Sequence, residues 1–407
     1  MKIESDLLLQ AINAIRKPQL KEPLIPTFFV MISGNVLTLA RRINGCTMVK
    51  RLVGAPEPND LENVYLSLKE SNACEYLATL KNENINFRTG YDAITISKGR
   101  SRLSLETRSD HDERMREKIG NIDLASSKTF AIENTGDFVS KMKRATVFVG
   151  RNAFDQFNKI CFNPCERVLY STDGFRLNRN RLSTGTMPEN VAYEPHEHIM
   201  IGYDIAPAFI ELFSCTKRIV CSSIDGGVVF KSSDGTGYSE AIAFDNPSNP
   251  SVPPFHNILN IKPEAYITVN TELFKEAVKR AKIMSGDDYK VNLLVTRRQL
   301  FVYSEFTGSF VTAIEAEISE KDYNFFFENC GKINPAFVVL VNGRYITDTL
   351  PTTEKVTFGL AGKTDSSGIT YTIVVDSGTE TNVVMPIRAV DYPLKEKEKC
   401  VEEMEAA

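Results

Sequence analysis

The 407-residue sequence has no apolar run of membrane-spanning length and no CxxC pair, and its 48 Lys and Arg are outnumbered by 52 Asp and Glu. A spanning helix needs about 20 successive apolar residues, so the first absence excludes one. Zinc knuckles are excluded by the second: Cys161, Cys165, Cys215 and Cys221 with His196 and His198 are the nearest approach to a ligand set, and their spacing fits no knuckle. Eight scattered cysteines also lack the density of a disulfide framework and read as small buried hydrophobes of a reducing compartment. A net charge of −4 argues against a protein that coats nucleic acid over its whole surface, so any DNA contact has to come from locally concentrated Lys and Arg.

Catalytic signatures are missing as well. There is no GxSxG elbow and no HExxH helix. Gly359-Leu360-Ala361-Gly362-Lys363-Thr364 looks like a phosphate loop, but the position where such a loop needs its first glycine holds Thr357, so the segment reads as a hairpin turn and a nucleotide-using enzyme is disfavoured. A sequence-specific DNA regulator would want a basic recognition helix or a zinc module, and neither is evident.

What is present is ordinary globular composition, 42% hydrophobic and 25% charged, over a length that calls for two to four domains. The opening MKIESDLLLQAINAIRK carries charge inside its apolar stretch and lacks a small-residue cleavage site, so it reads as an amphipathic helix rather than a secretory signal, and the cytoplasm is the expected address. Three segments share one grammar at intervals of roughly 130 residues: IESDLLLQAINAIRK from Ile3, IENTGDFVSKMKRA from Ile132 and VNTELFKEAVKRAKIM from Val269. Each passes from a β-type residue through a capping Ser, Thr or Asn and a first-turn acid into an amphipathic helix that ends in cations. Between them lie short β runs such as YDAITISK, GVVFKSS and TYTIVVDS, separated by Gly, Asn, Asp and Ser turns. The pattern predicts three α+β units of antiparallel sheet with a few helices each, joined near Ser126 to Lys128 and across the Pro-rich residues 246 to 255.

Four motifs then carry a resemblance: Gly99-Arg100-Ser101-Arg102-Leu103-Ser104-Leu105, Ser171-Thr172-Asp173-Gly174-Phe175-Arg176-Leu177, Arg280-Ala281-Lys282-Ile283-Met284-Ser285 and Val384-Met385-Pro386-Ile387-Arg388. In this order and spacing the chain resembles the beta sliding clamp of bacterial DNA polymerase III, a processivity factor, along nearly its whole length. The resemblance implies an α+β fold of three similar clamp domains, residues 1–128, 129–262 and 263–390, with antiparallel sheets outside and helices lining a central hole. It implies a homodimeric ring around duplex DNA without sequence preference, no catalytic activity, and no cofactor or metal.

A cytoplasmic, nucleoid-associated replication role follows, with a polymerase and an ATP-driven clamp loader as partners that dock through short peptides. Carried over by position, the peptide pocket would use Phe157, Thr172, Gly174, Phe175, Arg176, Leu177, Pro253, Ile258, Asn342, Tyr345, Val384, Met385, Pro386, Ile387 and Arg388. DNA would be faced by Arg16, Lys17, Lys21, Lys141, Lys143, Arg144, Lys275, Lys279, Arg280 and Lys282. The dimer contact would use Leu103, Leu105, Ile283 and Met284. Two departures from the family stand out. Phe175 replaces the usual His, which enlarges one wall of the pocket and shifts peptide preference. Residues 391–407 extend past the usual end as a charged tail that reads as disordered or a frayed helix, with partial cover of the pocket as the alternative.

Overall fold

The structure, a computed structural model, describes residues 1–16, 27–43, 46–55, 63–67, 70–89, 93–106, 119–120, 122, 128–150, 156–189, 191–233, 239–246, 251–286, 289–295, 298–304, 310–319, 321–322, 337–365 and 368–387. Its elements repeat one order, strand, helix and three strands, six times. The first run is β1 (Lys2–Glu4), α1 (Ser5–Arg16), β2 (Thr27–Ser33), β3 (Val36–Ile43) and β4 (Cys46–Val53); the second is β5 (Asn63–Ser67), α2 (Glu70–Thr79), β6 (Asn84–Thr89), β7 (Ala93–Lys98) and β8 (Ser101–Glu106). The third is β9 (Thr129–Ile132), α3 (Thr135–Thr146), β10 (Lys159–Asn163), β11 (Val168–Thr172) and β12 (Arg176–Arg181); the fourth is β13 (Ile199–Gly202), α4 (Ala206–Phe213), β14 (Ile219–Ile224), β15 (Gly227–Ser233) and β16 (Ser239–Asp245). After the short α5 (Phe255–Leu259) come β17 (Ala265–Asn270), α6 (Thr271–Met284), β18 (Lys290–Val295), β19 (Gln299–Ser304) and β20 (Phe310–Ile318), then β21 (Phe337–Asn342), α7 (Gly343–Thr349), β22 (Lys355–Asp365), β23 (Gly368–Asp376) and β24 (Glu380–Val384).

The runs interlock in pairs by exchanging leading strands. β1 pairs with β6 and β5 with β2; β9 pairs with β14 and β13 with β10; β17 pairs with β22 and β21 with β18, all antiparallel. Closing strands then join one another: β4 pairs with β16 and β12 with β24. This α+β arrangement of antiparallel sheets is the fold class expected from the sequence.

Contacts divide the chain into two compact units: Met1–Thr146 with Lys159–Leu169 and Leu182–Ser251, and Val147–Asn158 with Tyr170–Arg181 and Val252–Ala407. Both sides of the expected boundary near residue 128 lie in the first unit, joined by the β4·β16 pairing and the packing of α1 against α4. The boundary at Ser251 falls inside the Pro-rich stretch, where the missing proline N–H disfavours both ladder and helix.

Helical spacing accounts for the core. In the first unit α3 buries Thr135, Phe138, Val139, Met142 and Ala145, and the Phe138 ring lies 5.2 Å from Phe162 and 5.8 Å from Phe209. The second unit has α6 burying Thr271, Phe274, Ala277, Val278 and Ala281, with Phe274 4.9 Å from Phe358. Each fully buried phenylalanine contributes about 3 kcal/mol of transfer free energy. The expected caps form in two of the three repeats: Asn134 Oδ1 accepts from Asp137 N at 3.1 Å, and Asn270 Oδ1 accepts from Leu273 N at 3.0 Å. In the first repeat the Ser5 hydroxyl is engaged elsewhere, donating to Leu80 O and accepting from Glu83 N, both at 3.2 Å.

The 359–364 segment is not the hairpin turn expected. It runs within β22, whose last ladder pair with β23 is Asp365↔Gly368. Gly359 is required there by close approach: a Cβ would fall 2.5 Å from the Pro263 ring.

The β12·β24 junction is polar at its centre. Buried Asn178 donates to Asn382 Oδ1 at 2.7 Å, and Asn382 donates to Thr349 O at 3.1 Å and to Glu380 at 2.8 Å. Asn382→Ala strands several of these groups, so the second unit should lose about 1–3 kcal/mol, seen as a lower urea midpoint with unchanged slope.

Candidate functional site

Every described residue of the expected docking site belongs to the second unit; Arg388 lies outside the described residues, as do Lys17, Lys21 and the 391–407 tail. The centre is the turn between β11 and β12. Asp173 Oδ1 accepts from Phe175 N at 3.0 Å and Arg176 N at 3.1 Å, while the Thr172 hydroxyl donates to Arg176 O at 2.7 Å and accepts from Gly174 N at 3.1 Å. Gly174 takes φ +91, which a side chain rarely adopts, beside the Phe157 ring.

This turn throws Phe175 outward, 60% exposed, where it stacks on Tyr345 with centroids 6.1 Å apart and planes 19° apart. Met385, also exposed, donates its N–H to Phe175 O at 2.9 Å. Leu177 and Val384 are fully buried as the floor, in the ladder pairs Leu177↔Val383 and Arg176↔Val384. Pro386 and Ile387 follow as half-buried wall, with Ile387 N donating to Leu340 O at 2.9 Å. Pro253 is buried just before α5 and Ile258 half-buried on it; α5 is anchored by Phe255 stacked on Tyr170 at 4.9 Å.

Two of the expected residues are engaged within the chain. Asn342 Oδ1 caps α7, accepting from Arg344 N at 2.9 Å and Tyr345 N at 3.4 Å, so only its amide N–H₂ can meet a partner. Arg176, also expected at the shelf, faces inward. It is 9% exposed, its Nε donates to Asp173 at 2.9 Å, Nη2 to Val147 O at 2.7 Å and Nη1 to Asp348, and its guanidinium lies between the Tyr345 ring at 4.6 Å and the Phe148 ring at 5.0 Å. Burial, then the nearby Asp173 charge, hold the Tyr345 phenol above its usual range. Asp173 was legible as the acid three residues before Arg176, whereas Val147, Phe148 and Asp348 gave no sequence signal.

The expected DNA-facing cations are more committed than the sequence suggests. On α6, Lys275 pairs with Glu272 at 3.3 Å and Lys279 with Glu276 at 3.6 Å, each one turn away, while Arg280 is exposed. Lys143 is exposed on α3, with Lys141 and Arg144 half-buried; Arg16 is the last residue of α1. Of the expected interface residues, Ile283 is 70% exposed, Leu103 and Met284 are half-buried, and Leu105 is 8% exposed and so packs within its own unit.

Among the described residues no three His, Cys, Asp or Glu side chains gather as a metal site, and no helix is long and apolar enough to cross a membrane.

No protein-family model matches the chain, and no curated protein matches it in sequence. Solved structures do. A DNA polymerase sliding clamp from Pseudomonas aeruginosa with ligand is 16% identical, superposes with a TM-score of 0.75, and covers 95% of this chain and 99% of its own. The DNA polymerase III subunit beta of the same organism gives 0.74, and its DnaN sliding clamp bound to griselimycin gives 0.73, at the same identity and coverage. The chain therefore has the sliding-clamp fold.

Proposed function

We propose that this chain is a DNA sliding clamp: a non-catalytic ring of two copies that encircles duplex DNA, each copy three domains long (1–128, 129–262 and 263–390), and tethers a polymerase and its loader through the Phe175 shelf. One observation carries the reading. Closing strands join in pairs, β4 with β16 and β12 with β24, and among the described residues β8 and β20 have no closing-strand partner. β20 pairs on its outer side only at its end, with β17 through Ala316–Ile318. A second copy supplies the missing match twice over, β8 to β20 and β20 to β8, and a contact that closes gives a finite ring. The two edges are complementary in charge: exposed Arg100 and Arg102 stand on or before β8 and exposed Glu315 on β20, while Glu317 is held by Lys355 at 2.6 Å.

The expected result is twice the chain mass by light scattering, with retention on nicked circular DNA and loss from the same DNA once linearised. Equal retention on both would sink the encircling reading. A cytoplasmic, nucleoid-associated address follows from that role.

The docking shelf suits short peptides with Leu and aromatic anchors, because Met385, Pro386 and Phe175 are apolar and adaptable and stand where a chain can lie over them. Phe175→Ala should weaken such a peptide roughly tenfold, about 1.4 kcal/mol, by titration calorimetry. Unchanged affinity would place the site elsewhere.

A further inference from the structure

Lys282, in the last turn of α6, and Arg344, in the first turn of α7, come to a single ring that the docking shelf does not use. Lys282 Nζ lies 5.8 Å and Arg344 Cζ 5.0 Å from the centroid of Tyr289. The approach is built by the backbone. Gly343 N donates to Tyr289 O at 2.8 Å, and a Cβ on Gly343 would fall 2.6 Å from Lys282 Cγ and 2.9 Å from Val291 Cγ2, so a side chain there would displace the Lys282 stem. Tyr289 itself takes φ +51, a left-handed backbone that aims the ring between the two cations.

Ring contact orders a cation without neutralising it, unlike the Glu272 and Glu276 carboxylates that hold Lys275 and Lys279 on the same helix. Among the described residues neither Lys282 nor Arg344 makes an ion pair, so the pair keeps its full charge. The first amides of α7 are already taken by Asn342, leaving side-chain charge as what the site offers. A planar fork beside a point charge matches the oxygens of a phosphodiester.

We infer that Lys282 and Arg344, positioned by Tyr289, form a contact for one backbone phosphate of the enclosed duplex. This rests on the clamp reading above and adds Arg344 to it, which no charge run in the sequence singled out.

The test uses the full-length chain, a duplex and a salt titration. Each phosphate contact contributes about 0.9 to the slope of log affinity against log salt. Arg344→Ala should lower the slope by about 0.9, and Arg344→Lys should restore it. Tyr289→Asn, which tolerates the left-handed backbone, should weaken binding at unchanged slope, while Tyr289→Phe should behave as wild type. Light scattering on every variant should give the wild-type mass. A wild-type slope for Arg344→Ala overturns this inference alone, and a mass change would reassign the pair to subunit contact. If wild-type protein shows no salt-dependent duplex binding, the failure lies in the clamp reading itself.

Discussion

Arg176→Ala should lower the stability of the second unit by about 3 kcal/mol, because removing one member of a buried ion pair leaves the other charge uncompensated. Asp173 is the charge left behind: its side chain is 12% exposed, and it keeps its two backbone donors but loses the guanidinium. The Val147 carbonyl loses its donor, and the Phe148 and Tyr345 rings lose the cation between them. Since Tyr345 stacks on Phe175, peptide affinity at the proposed shelf should fall with stability. Arg176→Lys should rescue little, because an ammonium cannot reach Asp173, Asp348 and Val147 from one plane. Urea unfolding and calorimetry check both halves, and an Arg176→Ala protein that unfolds as wild type while losing the peptide would mean that the guanidinium contacts the ligand directly.

Ile283→Asp should act oppositely, sparing the fold and abolishing the ring. The side chain is 70% exposed, and substitutions at such positions change stability by about 0.5 kcal/mol or less. In the proposed dimer the same side chain is covered by a second copy, where an unpaired carboxylate would raise the dissociation constant about 100-fold, near 3 kcal/mol. Light scattering should then report a single chain at concentrations where the wild type is dimeric, with an unchanged melting temperature, and retention on nicked circles should vanish. A dimeric Ile283→Asp protein would remove α6's end from the interface.

The local layer of this protein was legible in its residues. Helical spacing and Asn caps mark α3 and α6, and the TDGFR turn carries its own Asp173 anchor, because each rests on neighbours within four positions in the chain. The threefold grammar was readable for the same reason, as one local pattern written three times.

Tertiary structure alone decided which strands exchange between runs, since β1 and β6 lie some 80 positions apart and alternation does not name a partner. It also tied Arg176 to an acid 172 positions away, and placed 359–364 inside β22, where Pro263 fills the space a side chain at 359 would need. Charge was the least legible quantity: a row of lysines on α6 reads as a cationic face, yet carboxylates one turn away hold two of them, while Lys282 meets Arg344 from α7 at Tyr289, where Gly343 leaves room for the approach. Sequence determines what is written within a few residues of itself; pairing energies between distant segments are set by geometry that only the folded chain possesses.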